Sequence, residues 1–466
     1  MSVLSTVKKK MTERKAISRS TMKLKKQICK KIRVIVIGSI LGSLLYCPEE
    51  FNQTYSVSLS VEETSCQSIS LHLSIPKTSD SQKFMLKRNG MEISRGTIAE
   101  EDTLINDDSL QVNTQYRYRA YVLSGKSRVD SSEEVTAMTM DTTGSDFVWD
   151  IDIIGVNISN FYDISIIDEN NIWAVGEITT DSYDTLIVNA DTFFTPIKYN
   201  AAHWNGKEWE LIKICPPGKS PSYPHKAIYI FSAVDIWTCT SAAYHFNDNE
   251  WYVYGTNNST WIFNGYVQSI WGNSSSDVYF VGDNGSIVHY DGTTFTLMDS
   301  GTKLLLRDVA GNGEHVFVVG RNYSGENVVL SLENGQWQIL YQPIDFKNEY
   351  YTAVNVYSDV AFFITKTGVL QYNFMKKKSV LEEVKPIKEW MYNYIEVQNV
   401  NDILLLSGDG RVLHFNGVRW KESRDLDLPT TEFYQGNLAL KGNLAVAVGT
   451  IYSDGARAMV ARGRRY

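Results

Sequence analysis

The sequence predicts an all-β chain: an immunoglobulin-like sandwich followed by a seven-bladed β-propeller closed by an N-terminal strand. Three observations lead there. Tyr (27) and Trp (11) are abundant and glycine (31) outnumbers proline (10), a bias toward strands joined by glycine turns. Alternation at period two begins near residue 55. Beyond residue 147 one short motif recurs about every 42 residues, the spacing of a four-stranded propeller blade. The 466 residues are 43% hydrophobic and 21% charged, which excludes wholesale disorder.

The N-terminus reads as an address. Residues 1–33 hold twelve Lys/Arg and one acid, a net +11 that leaves −19 of the overall −8 for the rest. So acidic a body argues against a nucleic-acid partner. Val34–Tyr46 is a run of thirteen uncharged, mostly apolar residues preceded by Lys23, Lys25, Lys26, Lys30, Lys31 and Arg33. A basic region before a short apolar stretch is a secretory signal, and thirteen residues fall short of the ~20 of a spanning helix. Met22 is the expected start, with 1–21 an over-called extension and 22–47 the signal segment. Leu44-Leu45-Tyr46-Cys47 resembles the lipobox of bacterial lipoproteins, with Tyr46 where that family has a small residue. The resemblance implies lipid attachment at Cys47, against the alternatives of a short uncleaved anchor or plain secretion. Three cysteines remain, Cys66, Cys215 and Cys239, with no metal-knuckle spacing; a Cys215–Cys239 bridge is left open.

Residues 53–142 read as the sandwich. Tyr55–Val61 and Ile69–Ile75 alternate, Phe84–Gly90 ends in an Asn-Gly turn, and a long strand runs from Leu110 to Val122. Residues 91–109 are rich in Asp and Glu, and the placement of the strand there is left open. Leu110, Thr114, Tyr116, Tyr118 and Ala120 match the L-x-P-x-T-x-Y-x-Y-x-A run of fibronectin type III domains, with Val112 in place of the proline. This resemblance implies that Tyr116 is a tyrosine-corner residue whose hydroxyl bonds to the backbone. No Arg-Gly-Asp triplet is present, and the expected role is a spacer.

Residues 147–466 carry the repeat. Its copies begin at Asn171, Asp235, Asp277, His315, Asp359, Asp402 and Asn443, as in Asn171-Ile-Trp-Ala-Val-Gly176 and Asp277-Val-Tyr-Phe-Val-Gly282. A third strand and tight turn follow (His203-Trp-Asn-Gly206, His414-Phe-Asn-Gly417), then a closing strand (Glu208-Trp-Glu-Leu-Ile212, Gln336-Trp-Gln-Ile-Leu340). The last copy lacks its closing strand, and a spare one, Phe147–Ile153, precedes the first. Residues 147–153 are therefore expected to complete the last blade, with Trp149 in the closing-strand Trp position. The first interval is about twenty residues too long, the excess lying in Ile178–Asn200 and read as a long loop. A second long connection spans Pro216–Pro224. The whole arrangement resembles bacterial exported propeller proteins, relatives of the BNR-repeat and photosystem II assembly-factor types; the sialidase Asp-box and the WD dipeptide are not matched.

The chemistry-bearing residues point to binding. His203, His245, His289 and His414 share one repeat position, so a ring spreads them apart and no metal can gather them; packing between strands is expected. Periodic Trp and Tyr are expected between blades, which leaves Tyr183, Phe193, Phe194 and Tyr223 as ligand candidates. Asp235, Asp277, Asp359 and Asp402 are expected to make turn hydrogen bonds. No phosphate loop, H-E-x-x-H, G-x-S-x-G or EF-hand sequence occurs, and no catalytic residue, cofactor or metal is assigned. The expectation is an exported, membrane-anchored, non-catalytic and monomeric binding protein of the bacterial cell envelope. It would present the propeller to a protein or glycan and touch the membrane only through its N-terminal anchor; periplasmic or secreted forms are the alternative. Two other functions stay open: a carbohydrate-active enzyme working in the central funnel, and an assembly factor for an envelope complex.

Overall fold

The computed structural model describes residues 57–75, 82–98, 102–124, 127–188, 191–222, 224–257, 260–322, 324–340, 351–384, 392–423, 433–452 and 455–466. Cys47 and Tyr223 lie outside them. Tyr55–Tyr466 forms one compact unit. Among the described residues no helix is long and apolar enough to cross a membrane.

Two facing sheets come first. Ser58–Thr64, Ile69–Ser74 and Asp102–Asp107 form one; Met91–Ile98, Gln82–Arg88 and Gln115–Ser124 form the other, with Ser127–Ser131 and Val135–Met138 both along the last strand's free edge. Alternation explains the packing: Ile69, Leu71 and Leu73 point inward against Phe84, Leu86, Tyr116, Tyr118 and Val122. Two of the inward groups are polar and are satisfied. The Tyr118 hydroxyl donates to Asp107 (2.7 Å), which Arg88 also bonds (2.8 Å), and the Gln111 N–H donates to the Tyr116 hydroxyl (2.9 Å). Two points left open by the sequence are decided, and one reading, the start of the long strand, is corrected. The acid-rich stretch holds two strands, Met91–Ile98 and Asp102–Asp107, with Glu92 and Asp102 exposed and Asp107 buried. The long strand starts at Gln115, because Asn113 turns the chain at φ 48°. Cys66, Cys215 and Cys239 are all free, so no Cys215–Cys239 bridge forms.

Among the described residues seven four-stranded antiparallel sheets follow, called I to VII in chain order. Their innermost strands are Asn160–Asp168, Ala227–Ser232, Val267–Ser274, Leu306–Asn312, Val354–Tyr357, Tyr392–Asn399 and Phe433–Lys441. Each touches the next, and the last touches the first. The second strands are apolar on both faces, so alternate residues serve different neighbours: Val175 packs with sheet II, Ala174 with sheet VII. Seven apolar clusters result, one in each gap between consecutive sheets, and they are the core. Val148–Ile154 is the fourth strand of sheet VII, antiparallel to Arg457–Arg464. Trp149 lies over Gly463, where sheet I has Trp204 opposite Trp209. Gly206, Gly292 and Gly417 turn the third strand into the fourth at φ +90°, open to glycine without strain.

Candidate functional site

The inner strands enclose a channel of about 830 Å³ to which all seven sheets contribute, within the ~300–1,000 Å³ of ligand pockets. Three acids of these strands, Asp163, Asp308 and Glu396, line the channel. Asp163 of sheet I accepts from its neighbour Ile164 N–H (2.8 Å), from Ile228 N–H of sheet II (2.7 Å) and from the Asn437 amide of sheet VII (2.5 Å). Asp308 of sheet IV repeats the pattern, accepting from Val309 N–H (3.0 Å), Val354 N–H of sheet V (3.0 Å) and Ser269 of sheet III (2.9 Å). Each carboxylate thus ties three consecutive sheets together. Glu396 of sheet VI has one long bond, from the Asn355 amide at 3.4 Å.

Burial opposes ionisation and dominates here. It lifts Asp163 to about 7 and Asp308 to about 6 in spite of their hydrogen bonds. Glu396 reaches about 8, through burial first and then the nearby charges of Asp308 and Asp163. Burial also pushes the Tyr394 hydroxyl up to about 12, opposed by the Arg307 guanidinium. Lys226 lies with its ammonium 3.4 Å from the Tyr162 ring centre, and burial lowers its pKa. No group of His, Cys, Asp and Glu among the described residues is arranged to hold a metal ion.

The excess of sheet I is not a loop. Its second and third strands, Asn171–Val188 and Asp191–Trp204, stay paired to Val188↔Asp191 and project as a hairpin. Apolar and β-branched residues on both sides keep it extended, and Lys198 pairs with Glu177 at 2.5 Å at its base. Register puts Tyr183 and Phe194 on one face of this ribbon and Phe193 on the other. They are exposed by 58%, 68% and 51%. The hairpin gathers these three, but none of them lines the channel.

The repeat histidines are side-chain partners of the strand-opening residue. Nε2 of His203, His245, His289 and His414 meets Asn171, Asp235, Asp277 and Asp402 at 2.7–2.9 Å. The turn role expected of Asp235, Asp277 and Asp402 is thereby corrected: each bonds diagonally to the neighbouring third strand, whose histidine faces the residue two positions further along the second strand. Sequence reasoning missed Asp163, Asp308 and Glu396. The local sequence offers only an acid beside apolar residues, as in Asp163-Ile164 and Asp308-Val309, which is costly to bury unless bonded but does not show where the strand lies.

A closed ring of radially packed four-stranded sheets about a channel is a β-propeller. The solved structure of YCF48 bound to D1 peptide is similar to this chain, with a TM-score of 0.51 at 14% identity over 70% of this chain and 100% of that one. YCF48 from Cyanidioschyzon merolae gives 0.46 at 9% identity, over 67% and 98% of the two chains. The extracellular domain of BT4673 from B. thetaiotaomicron gives 0.47 at 12%, over 70% and 40%. At these identities the likeness is one of fold. No protein-family model and no curated protein matches the chain.

Proposed function

We propose that this is an exported, non-catalytic binding protein: a fibronectin type III-like spacer with Tyr116 as its tyrosine corner, then a seven-bladed propeller that holds a polypeptide partner. Lipid on Cys47 would anchor it in the cell envelope. The observation that carries the reading is the hairpin of sheet I, which sets Tyr183 and Phe194 side by side on one exposed face. Exposed aromatics on a rigid ribbon are the groups that anchor protein partners. The similar YCF48 structure is bound to a peptide, and peptide binding is carried over to this chain as part of the proposal. The carboxylates Asp163 and Asp308 fit the same reading, since their oxygens are engaged in holding sheets together. The test is capture by the tagged full chain from detergent-solubilised envelope, compared with a Tyr183→Ala/Phe194→Ala variant. One protein retained stoichiometrically by the parent and lost by the variant is expected; equal capture by both removes the hairpin from the site.

One observation favours a second reading, a carbohydrate-active enzyme. Asp308, Glu396, Tyr394 and Arg307 face one channel, and a carboxyl held near pH 8 suits a general acid. Polysaccharide turnover abolished by Glu396→Gln would establish it. No turnover over a panel of uronate-, sialate- and neutral glycans would dismiss it.

A further inference from the structure

The fourth copy of the histidine pair differs from the other three. In sheets I, II and III the imidazole stacks on an aromatic of the second strand: Trp173 (4.6 Å), Trp237 (3.8 Å) and Tyr279 (4.4 Å between ring centres). In sheet VI that position is Leu404, and the ring packs instead edge-on against Phe147, at 5.7 Å and 84°. Phe147 belongs to the segment that joins the two-sheet module to the propeller. Its neighbour Ser145 bonds His414 Nδ1 at 2.8 Å. Nε2 meets Asp402 on the other side of the ring, so the imidazole bridges the connecting segment and the carboxylate.

The penultimate residue of the chain completes the cluster. Arg465 donates to Asp402 Oδ1 (2.7 Å), to the Gly144 carbonyl (3.2 Å) and to the Gly442 carbonyl (2.9 Å), with its guanidinium 5.3 Å from the Phe147 ring centre. His414, Asp402 and Arg465 are 1%, 2% and 6% exposed. Burial alone would raise the pKa of Asp402, but the bonds from Arg465 and His414 outweigh it and hold the carboxyl below its ordinary value. The cluster is therefore a buried Asp402–Arg465 ion pair to which His414 is hydrogen-bonded. Around it the connection is held at more points. Thr143 donates to the Asn401 carbonyl (2.7 Å), Asn401 to the Asp141 carbonyl (2.7 Å), and Cys66 of the first sheet pair to the same carbonyl (3.1 Å). Lys421 pairs with Asp146, and Lys376 of sheet V reaches Glu62 (3.2 Å) and Glu63 (3.6 Å). A Cβ at Gly417 would strike the Cys66 sulfur.

We propose that His414, Asp402 and Arg465 form a latch that grips residues 141–147 and makes the two-sheet module and the propeller one rigid body. A connection between modules is ordinarily solvated and lets them move. Here the Asp141 and Gly144 carbonyls and the Thr143 and Ser145 hydroxyls bond to the propeller, while Asp141, Thr142, Gly144 and Asp146 stay exposed. The latch also sets direction. Asn401, Asn416 and Lys376 lie in turns joining first to second or third to fourth strands, at one end of the sheets. The Tyr183/Phe194 hairpin joins second to third strands and so leaves from the other end. The module is thus held on the face opposite the hairpin, whatever the hairpin binds.

The test compares the full chain with a Ser145→Ala/Arg465→Ala variant under limited proteinase K digestion, with cleavage sites mapped by mass spectrometry. Cleavage within 141–147 is expected to be at least about tenfold faster in the variant than in the parent, while sites within the sheets are cut at parental rates. A folded variant, judged by circular dichroism, that is cut there no faster overturns the latch. Should the variant not fold, hydrogen exchange of the parent decides. Amides of 141–147 slowed at least about tenfold relative to a free peptide support the latch, and free-peptide rates overturn it.

Discussion

Gly463→Ala should loosen the closure of the ring. Gly463 is buried in the last strand, opposite Trp149 of the strand that the N-terminal side supplies. A methyl at this position would stand 2.7–2.8 Å from three atoms of the indole. Carbon atoms are at ease near ~3.5 Å, so the ring must retreat by about 0.7 Å. Phe147, itself fully buried, packs against the same ring at 5.7 Å between centres and limits that retreat. The backbone at Gly463 is not left-handed, so the strain is steric alone. Overpacking of this kind costs about 1–3 kcal/mol. The assay is urea unfolding of the full chain followed by tryptophan fluorescence. Midpoints are compared rather than extrapolated free energies, because the chain holds more than one cooperative module. Trp149→Val should remove the clash, so that Gly463→Ala in that background costs less than about 0.5 kcal/mol. An unchanged midpoint for Gly463→Ala, or the same cost in both backgrounds, refutes the argument.

Three further outcomes are expected. Trp237→Ala, which empties the fully buried site where the indole stacks on His245 at 3.8 Å, should cost about 3–5 kcal/mol and lower the melting temperature; a loss under about 1 kcal/mol would contradict the packing. Asp163 and Glu396 have folded pKa values of about 7 and 8, above those of the unfolded chain, so the folded state binds more protons near neutrality. Stability should therefore fall as pH rises from 6.5 to 9, and Glu396→Gln should flatten the slope; stability rising over that window would refute it. The window starts at 6.5 because His225, which burial holds neutral down to about 3, titrates in the unfolded chain below that pH and acts with the opposite sign. Tyr183→Ala and Phe194→Ala, at exposed positions, should each shift stability by no more than about 0.5 kcal/mol in thermal melts.

How much was legible differs by element. The repeat was visible because every second strand must be apolar on both faces, which leaves Asp235-Ile-Trp-Thr-Cys239 and Asp402-Ile-Leu-Leu-Leu406 as uninterrupted runs after an acid. The closing strand was visible because a missing fourth strand at one end matched a spare one at the other. The hairpin is not legible as one: Ile178–Asn200 mixes polar and aromatic residues without a glycine or proline at its turn, and only the pairing Val188↔Asp191 reveals a ribbon. The acids at 163, 308 and 396 were passed over because nothing in local sequence says that an inner strand will face six others. His414 looked like its three siblings, since its difference lies in Leu404, Phe147 and Arg465, which are far apart along the chain.

The all-β class, the repeat, the pairing of the chain's last strand with residues near 148, and the acidic balance of the body can be read from the residues alone. These follow from composition and periodicity, which are properties of short windows. Tertiary structure decided what the periodic residues do. It brought seven inner strands around one channel and raised the proton affinity of its carboxylates by burial. It turned an insertion into an aromatic-bearing hairpin and gave one histidine of four a different set of neighbours. The reason is physical: burial, the dielectric around a charge and the partner of a hydrogen bond are set by residues hundreds of positions away, and no window of sequence contains them.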